Sequence, residues 1–232
     1  ADAQGIADYY AEEFGAPTTL IAYGAPIADA GTERLGELDL RPGGFHLVVA
    51  RFEPENHVDV VVEGYVRSDA ALPLVVVGSA PYSDAYTERI ASLADERVRL
   101  PGGIWDQELL DQLYAGALVY YHGHSVGGTN PSLLRAIGAG AAVDAFDVSF
   151  NREVLGDAGR YWRGADDVTR LVASAEADPA AQAARGELSR QRAALYDWDE
   201  VADRYEALCR DLAASGPRRE RPSGRRTGIA PS

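Results

Sequence analysis

"ALVYYHGHSVGGTNPSLLRAIGAG", residues 117–140, joins two apolar runs through a glycine-rich turn. The first run ends near Tyr121, and the second, which is rich in alanine, begins at Pro131. Proline is favoured at the first position of a helix, and glycine allows the backbone to turn tightly. The pattern therefore predicts a strand, a loop and a helix that starts at Pro131. Free N–H groups at such a junction can bind an anion; the alternative is a tight turn that binds no ligand.

Short apolar runs of the same kind recur along the chain and alternate with helix-like segments. They read "FHLVVA", "LPLVVVG", "RVRL", "ALVYY" and "AAVDAF". Most are apolar throughout, which is typical of parallel strands whose two faces are both covered by helices. Alternation of strand and helix favours right-handed βαβ units. The sequence therefore predicts an α/β fold with a doubly wound parallel sheet.

The composition limits the classes of function. The 232 residues suffice for one large domain with appendages, and the net charge of −14 argues against a nucleic-acid-binding protein. No apolar run approaches the roughly 20 residues that a membrane span needs. The single cysteine, Cys209, excludes an internal disulfide, fits a reducing compartment, and is expected to be packed on a C-terminal helix. Because the chain contains no methionine, we expect it to be part of a longer protein or the product of a truncated gene model.

The character of the sequence changes along the chain and divides it into four segments. These are residues 1–40, 41–178, 179–214 and 215–232. The first contains a predicted helix, the predicted strand "TTLIAYGAP" and a polar linker. The third is polar and rich in alanine, and we expect Trp198 and Tyr205 to pack one of its helices onto the sheet. The last carries five arginines against one glutamate and is predicted to be disordered and solvated, although contact with an acidic surface is an alternative.

Arg51 stands at the end of a predicted strand, where open parallel sheets bind their ligands. Its planar guanidinium suits a diphosphate. The alternative is a surface salt bridge with Glu53 or Glu55. The residues by themselves do not decide between these two interpretations.

His122 and His124 follow the strand of the opening motif. They are two positions apart and lack a third ligand at the usual metal-binding spacing, so no metal site is predicted. A hydrogen-bonded structural histidine is the simpler interpretation, and contact of His124 with a substrate hydroxyl is the functional one. A dinucleotide-binding domain is disfavoured because the G-x-G-x-x-G fingerprint is missing, and a Walker loop is excluded because the chain has no lysine.

Four separated blocks of the sequence resemble the C-terminal half of glycosyltransferase family 4, and more closely its bacterial rhamnosyltransferase-like members. The blocks are "VVARFEPENHVDVVVEGY", "LPLVVVGSAPYS", "VRLPGGIWDQELLDQLYAGALVYYHGHSVGGTNPSLLRAIGAG" and "FDVSFNREVLGDAG". The resemblance implies a GT-B fold, in which two Rossmann-like domains face a cleft. One domain binds the acceptor, and the other binds a nucleotide-sugar.

The resemblance gives each segment a role. Residues 1–40 are the remnant of the acceptor-side domain with the interdomain linker, residues 41–178 form the Rossmann-like nucleotide-sugar-binding domain, and residues 179–214 are C-terminal helices. The implied activity is a retaining transfer of a sugar to a glycan or lipid-linked acceptor, without a metal or other cofactor. The missing N-terminal domain would complete the enzyme, so this chain alone is expected to be inactive. A cytoplasmic location with peripheral association at the inner face of the membrane is also implied.

The resemblance also assigns residues to the donor. The diphosphate and sugar would be bound by Gly24, Arg51, His124, Gly127, Gly128, Thr129 and Asn130. The nucleobase and ribose would lie near Gly78, Ile104, Trp105 and Arg135.

Four positions depart from the family pattern. The first is Gly127, where the general family has a glutamate that its "HSVGGTN" branch usually lacks. Asn56 stands where a lysine is common, and Arg135 replaces a glutamate that would accept hydrogen bonds from ribose hydroxyls, although arginine can only donate. Asp144 interrupts an apolar strand, where a lone buried carboxylate is costly. We hypothesise that Arg135 and Asp144 pair with each other. A degenerate, non-catalytic nucleotide-sugar-binding or interaction module is the alternative function, and Arg135 is the residue that favours it.

Overall fold

The computed structural model describes residues 1–27, 29–80 and 84–215. The predicted disordered tail lies outside these residues, apart from its first residue, Ser215. The strands are β1 (His46–Val49), β2 (Leu74–Val77), β3 (Val98–Gly102), β4 (Val119–His122), β5 (Val143–Phe146) and β6 (Gly159–Trp162). The α-helices are α1 (Gln4–Phe14), α2 (Val58–Val66), α3 (Asp84–Leu93), α4 (Gln107–Gly116), α5 (Pro131–Gly138), α6 (Ser149–Leu155), α7 (Ala165–Ala177), α8 (Pro179–Ala193) and α9 (Trp198–Ser215).

The described strands form one parallel sheet in the order β3-β2-β1-β4-β5-β6. This order confirms the predicted Rossmann-like, doubly wound α/β fold. The chain leaves β1 toward one edge of the sheet, and from β4 onward it builds toward the other edge. The order therefore reverses between β1 and β4, and a crevice opens at the carboxyl ends of these two strands.

Apolar residues on both sheet faces explain why the strands read as continuous hydrophobic runs. On one face, Leu47 and Val75 pack in a core with residues of α4 and α5. On the other face, Val48 and Val76 pack in a core with residues of α2, α3 and α7. Neighbouring residues of one strand thus bury their side chains in opposite cores, which explains why the middle of each central strand is apolar.

Asp144 in β5 is completely buried and is held by two arginines. Arg160 stands opposite it in β6, with Nη2 2.9 Å from Asp144 Oδ2, and Arg185 of α8 places Nη2 2.8 Å from Oδ1. The hypothesis that Asp144 pairs with Arg135 is therefore wrong. The neighbouring strand and the covering helix supply the two cations that compensate the carboxylate.

The first and last described segments run beside each other. Residues 17–27, predicted to include a strand, pair with no strand of the described ranges, and the Ala25 amide instead donates to the Tyr196 carbonyl. The Trp198 indole lies on Gly24 but remains half exposed. Tyr205 and Cys209, which lie further along α9, are exposed. The expectation that these two side chains pack against the domain is therefore wrong. None of the helices in the described ranges is long and apolar enough to span a bilayer.

Candidate functional site

A cavity of about 330 Å³ opens at the carboxyl edge of the sheet, where the strand order reverses. Its walls come from the residues that follow β1, β2, β3 and β4, together with the beginnings of α4 and α5. Its volume lies at the lower end of the range of small-molecule sites. The topology therefore places a ligand-sized space where parallel sheets usually bind.

Six of the predicted site residues line this cavity. They are Arg51, Gly78, Ile104, Trp105, His124 and Asn130. Five others do not line it: Gly24, Gly127, Gly128, Thr129 and Arg135. Six of the eleven predicted residues thus lie around one cavity at the carboxyl edge of the sheet, whereas Gly24 and the centre of the glycine-rich loop lie elsewhere.

Two glycines keep the strand ends close together around the cavity. A Cβ atom added to Gly78 would collide with the Ala50 carbonyl oxygen, and one added to Gly123 would collide with the carbonyl oxygen of Asn56. Only glycine permits such close backbone approach. These residues fix the spacing between the loop after β1 and its neighbours on either side.

The Arg51 side chain is free at the cavity. It is exposed, and among the described residues it forms no ion pair and donates no side-chain hydrogen bond. The alternative salt bridge with Glu53 or Glu55 is therefore not formed. Arg51 is also the only arginine among the described residues that line the cavity. An unpaired guanidinium at this position is available to a ligand anion.

The apolar rim of the cavity is provided by the turn after β3. Trp105 is 83% exposed and lines the cavity beside Ile104. The indole packs against Gly103, where an added Cβ would lie 3.4 Å from Nε1. A flat, solvent-exposed aromatic surface of this kind can stack a planar ligand group.

A network of hydroxyl and imidazole groups joins the cavity at His122 and Ser132. The Tyr120 hydroxyl lies 3.0 Å from His122 Nδ1 and 3.0 Å from Ser132 Oγ, and Tyr114 lies 2.6 Å from the same serine oxygen. Burial lowers the pKa of His122 to about 3, so this ring is neutral at physiological pH. Its Nε2 is buried without a hydrogen-bond partner in the described part of the chain. The network therefore ends at the neutral imidazole of His122, which lines the cavity.

The glycine-rich loop is covered by the start of the chain. The Thr129 hydroxyl donates to the Asp2 carbonyl over 2.6 Å, and a Cβ on Gly128 would collide with the Asp2 carboxylate. Asn130 caps α5 by accepting a hydrogen bond from the Ser132 amide. Asn130 is consequently the part of the predicted "GGTN" loop that reaches the cavity.

Arg135 does not line the cavity, and its side chain reaches from α5 to α4. Its Nε lies 2.5 Å from Asp111 Oδ1, and its other nitrogens donate to the side chain and carbonyl oxygens of Gln107. Arg135 and Asp111 are both largely buried, and their pairing offsets the cost of a cation on α5. Arg135, the residue that favoured the degenerate-module alternative, therefore links α5 to α4.

We expect Arg135→Glu to destabilise the protein rather than restore a ribose site. The new carboxylate would face Asp111 and lose the Gln107 contacts, at a cost of about 1–3 kcal/mol in the free energy of unfolding. Urea denaturation of the variant would measure this cost, with Arg135→Gln as the uncharged control. An unfolding midpoint equal to that of the parent protein would contradict a stabilising role for the contacts of Arg135 with Asp111 and Gln107.

The comparisons with known proteins agree with this architecture. The chain is 29% identical over 118 residues to the GtfA subunit of a UDP-N-acetylglucosamine–peptide N-acetylglucosaminyltransferase from Streptococcus gordonii, a match that covers 49% of this chain and 22% of the relative. Sucrose-phosphate synthase from Thermosynechococcus elongatus superposes with a TM-score of 0.76 at 24% identity, covering 92% of this chain and 58% of that structure. Anabaena HepE in complex with UDP gives 0.80 at 16% identity, covering 91% and 63%. No protein-family profile matches the chain.

The chain spans about a fifth of the curated relative and less than two thirds of either solved structure. At these identities the structural likeness establishes the fold. It is the Rossmann-like α/β fold that forms half of a GT-B glycosyltransferase.

Five further lining residues with polar side chains lie outside the predicted set: Asn56, Ser79, Gln107, His122 and Ser132. Asn56 belongs to the "RFEPEN" segment that begins with Arg51, and His122 begins the "HGHSVGGTN" loop, so both lie in motifs already singled out in the sequence. Gln107 and Ser132 sit in the first turns of α4 and α5, and the rule that parallel sheets bind ligands at helix N-termini could have identified them.

Proposed function

We propose that this chain is the donor-binding half of a retaining glycosyltransferase, similar to the rhamnosyltransferase-like members of family 4. Its substrate would be a nucleotide-sugar, and the sugar would pass to a glycan or a lipid-linked acceptor. The observation that carries this proposal is the unpaired Arg51 guanidinium beside an exposed aromatic rim at the switch point of the sheet. The cavity thus offers one side chain that suits an anion and another that suits a planar base.

The diphosphate, the sugar and the base of the donor would each contact different lining residues of the cavity. Arg51 would hold the diphosphate by charge-assisted hydrogen bonds, and Asn130 would place the start of α5 next to the sugar and phosphate. Trp105 and Ile104 would bind the base. Stabilisation of the departing nucleoside diphosphate would then be mainly electrostatic, because Arg51 faces the negative charge that grows as the glycosidic bond breaks.

The remaining assignments follow from the family resemblance. The acceptor would be bound by a separate N-terminal domain, donor binding would need no metal, and a lipid-linked acceptor would place the protein at the cytoplasmic face of a membrane. Transfer would require both domains. We therefore expect this chain to bind a donor but to transfer no sugar alone.

Calorimetric titration of the chain with UDP-glucose, dTDP-glucose and GDP-mannose tests the proposal. Saturable one-site binding of at least one of them is expected. HepE has been solved with UDP-glucose, which makes that compound the first probe. Lack of binding by all three would overturn the proposal.

Trp105→Ala is expected to weaken binding of the same nucleotide-sugar about tenfold, because the base loses its stacking surface. Calorimetry measures the change. Trp198→Ala is the matched control, since this indole is also solvent-exposed but lies on Gly24 and does not line the cavity. Equal losses in the two variants would contradict a specific role for Trp105.

A further inference from the structure

Asn56 links Arg51 to His124 through its side-chain amide. The amide Nδ2 donates to the Arg51 carbonyl over 2.9 Å, which fixes the orientation of the amide. The amide oxygen, Oδ1, therefore faces His124 Nδ1 at 2.9 Å. An amide oxygen only accepts hydrogen bonds, so His124 Nδ1 must carry the proton of the neutral ring. Asn56 is nine-tenths buried, which makes this arrangement rigid.

The fixed tautomer determines where a further proton can bind. With Nδ1 already protonated, Nε2 is the basic nitrogen of His124, and it lies on the side of Gly127. His124 lines the cavity together with Arg51. A proton taken up from solvent at Nε2 would make the ring a second cation in a site where Arg51 is the only arginine among the described lining residues.

The electrostatic surroundings of His124 include charges of both signs. The charged and titratable groups that face its ring are Arg51, Glu55, His57 and His122. From α6, the Phe150 ring and the Asn151 amide contact His124, and neither titrates. The cation of Arg51 opposes protonation of His124 in the free protein, and a bound dianion would reverse that balance.

We propose that His124 takes up one proton when a nucleotide-sugar binds, and that the resulting imidazolium supplies the second positive charge facing the diphosphate. Asn56 acts as the positioning residue, because it directs the basic nitrogen. This inference rests on the proposed function of the same cavity. It predicts that the affinity for the donor depends on pH.

The direction of this dependence follows from burial. Burial lowers the pKa of His124 in the free protein, so the ring is neutral near pH 7. A bound diphosphate favours the cation and raises that pKa. Between the two pKa values, affinity increases as the pH falls, by at most about tenfold per pH unit. Above the pKa of the complex, affinity becomes independent of pH.

Calorimetry of the 232-residue chain between pH 5.5 and 8.5, in buffers of different ionisation enthalpy, counts the protons exchanged on binding. UDP-glucose is the suitable probe because its diphosphate is esterified at both ends, whereas the terminal phosphate of UDP titrates near pH 6 itself. If UDP-glucose does not bind, dTDP-glucose or GDP-mannose replaces it. We expect uptake of up to one proton and an affinity that rises toward low pH.

His124→Gln provides the matched variant, because its amide still donates to Asn56 but cannot titrate. We expect this variant to lose proton uptake and to bind with an affinity that hardly depends on pH, so that its deficit relative to the parent protein is about tenfold at pH 5.5 and shrinks as the pH rises. Binding without proton exchange, or with equal exchange in His124→Gln, overturns the inference and leaves the proposed function intact. Absence of binding by every nucleotide-sugar overturns both.

Asn56→Asp adds a readout that a purely structural role would not change. A carboxylate beside Nδ1 raises the pKa of His124 in the free protein, so the pH-dependent range of binding should move upward. The overall affinity should fall as well, because the new negative charge faces the diphosphate. Histidine ring ¹⁵N NMR follows this titration directly. An unmoved titration of His124 in Asn56→Asp would also overturn the inference.

Discussion

Arg51→Ala is expected to weaken nucleotide-sugar binding about 100-fold while leaving the stability of the fold unchanged. A hydrogen bond between charged partners contributes roughly 1.5–3 kcal/mol, and a guanidinium can form two with a diphosphate. The same side chain forms no ion pair with the described residues, so its removal should cost little in the folded protein. Calorimetry for affinity and thermal melting for stability separate the two effects.

Two further variants make the Arg51 experiment specific. Arg51→Lys keeps the charge but loses the planar fork, and should fall between the parent protein and Arg51→Ala. Arg170→Ala removes an arginine that is well exposed on α7 and paired with Asp167, so it should not affect binding. If Arg51→Ala bound as tightly as the parent protein, the diphosphate could not lie against this residue.

Asp144→Leu is expected to destabilise the protein more strongly than Arg135→Glu. The variant restores the apolar residue that the resemblance to family 4 leads one to expect, but it leaves Arg160 and Arg185 without their carboxylate. Breaking a buried ion pair in this way costs about 3–5 kcal/mol. For a protein of this size that corresponds to a melting temperature roughly 10 °C lower. Differential scanning calorimetry measures it.

Asp166→Asn is the control for Asp144→Leu, because Asp166 pairs with Arg67 at the surface and should contribute less than about 1 kcal/mol. A triple variant in which Asp144, Arg160 and Arg185 all become leucine should recover most of the lost stability, since it removes the unpaired charges. A melting temperature of Asp144→Leu equal to that of the parent protein would show that the carboxylate is not needed to compensate the arginines.

The central sheet is predictable from sequence because each inner strand is covered on both faces. The runs containing Leu47, Val75 and Tyr120 are apolar for this reason, and each is a strand. β6 reads "GRYW", and its place at the sheet edge leaves it only partly buried, so its pattern carries little signal. "TTLIAYGAP" shows the converse error of the pattern: the segment is largely apolar and therefore looks like a strand, but no strand in the described part of the chain pairs with it.

Ion-pair partners are less predictable than strands. Arg160 lies 16 positions from Asp144, and strand register alone brings them together. Arg135 finds Asp111 and Gln107 because α4 and α5 pack side by side. A sequence shows that a buried charge needs a partner, but the register and the packing of helices decide which partner it receives.

The cavity could be located in advance because parallel strands bring all their carboxyl ends to one edge. That rule groups Arg51, Gly78 and His124 from three separate strands. It fails for Gly24, which follows no sheet strand, and for Gly128, which is covered by Asp2. Loop contacts with the first residues of the chain cannot be deduced from strand order.

The exposed indole at the cavity rim gives the protein its own optical reporter. Tryptophan emission depends on the polarity around the ring, and the three indoles occupy three environments: Trp105 is 83% exposed, Trp198 52%, and Trp162 is buried. A base that stacks on Trp105 should quench red-shifted emission, whereas Trp162 should respond only when the core opens. Ligand occupancy and unfolding can therefore be followed in one unlabelled sample at two wavelengths.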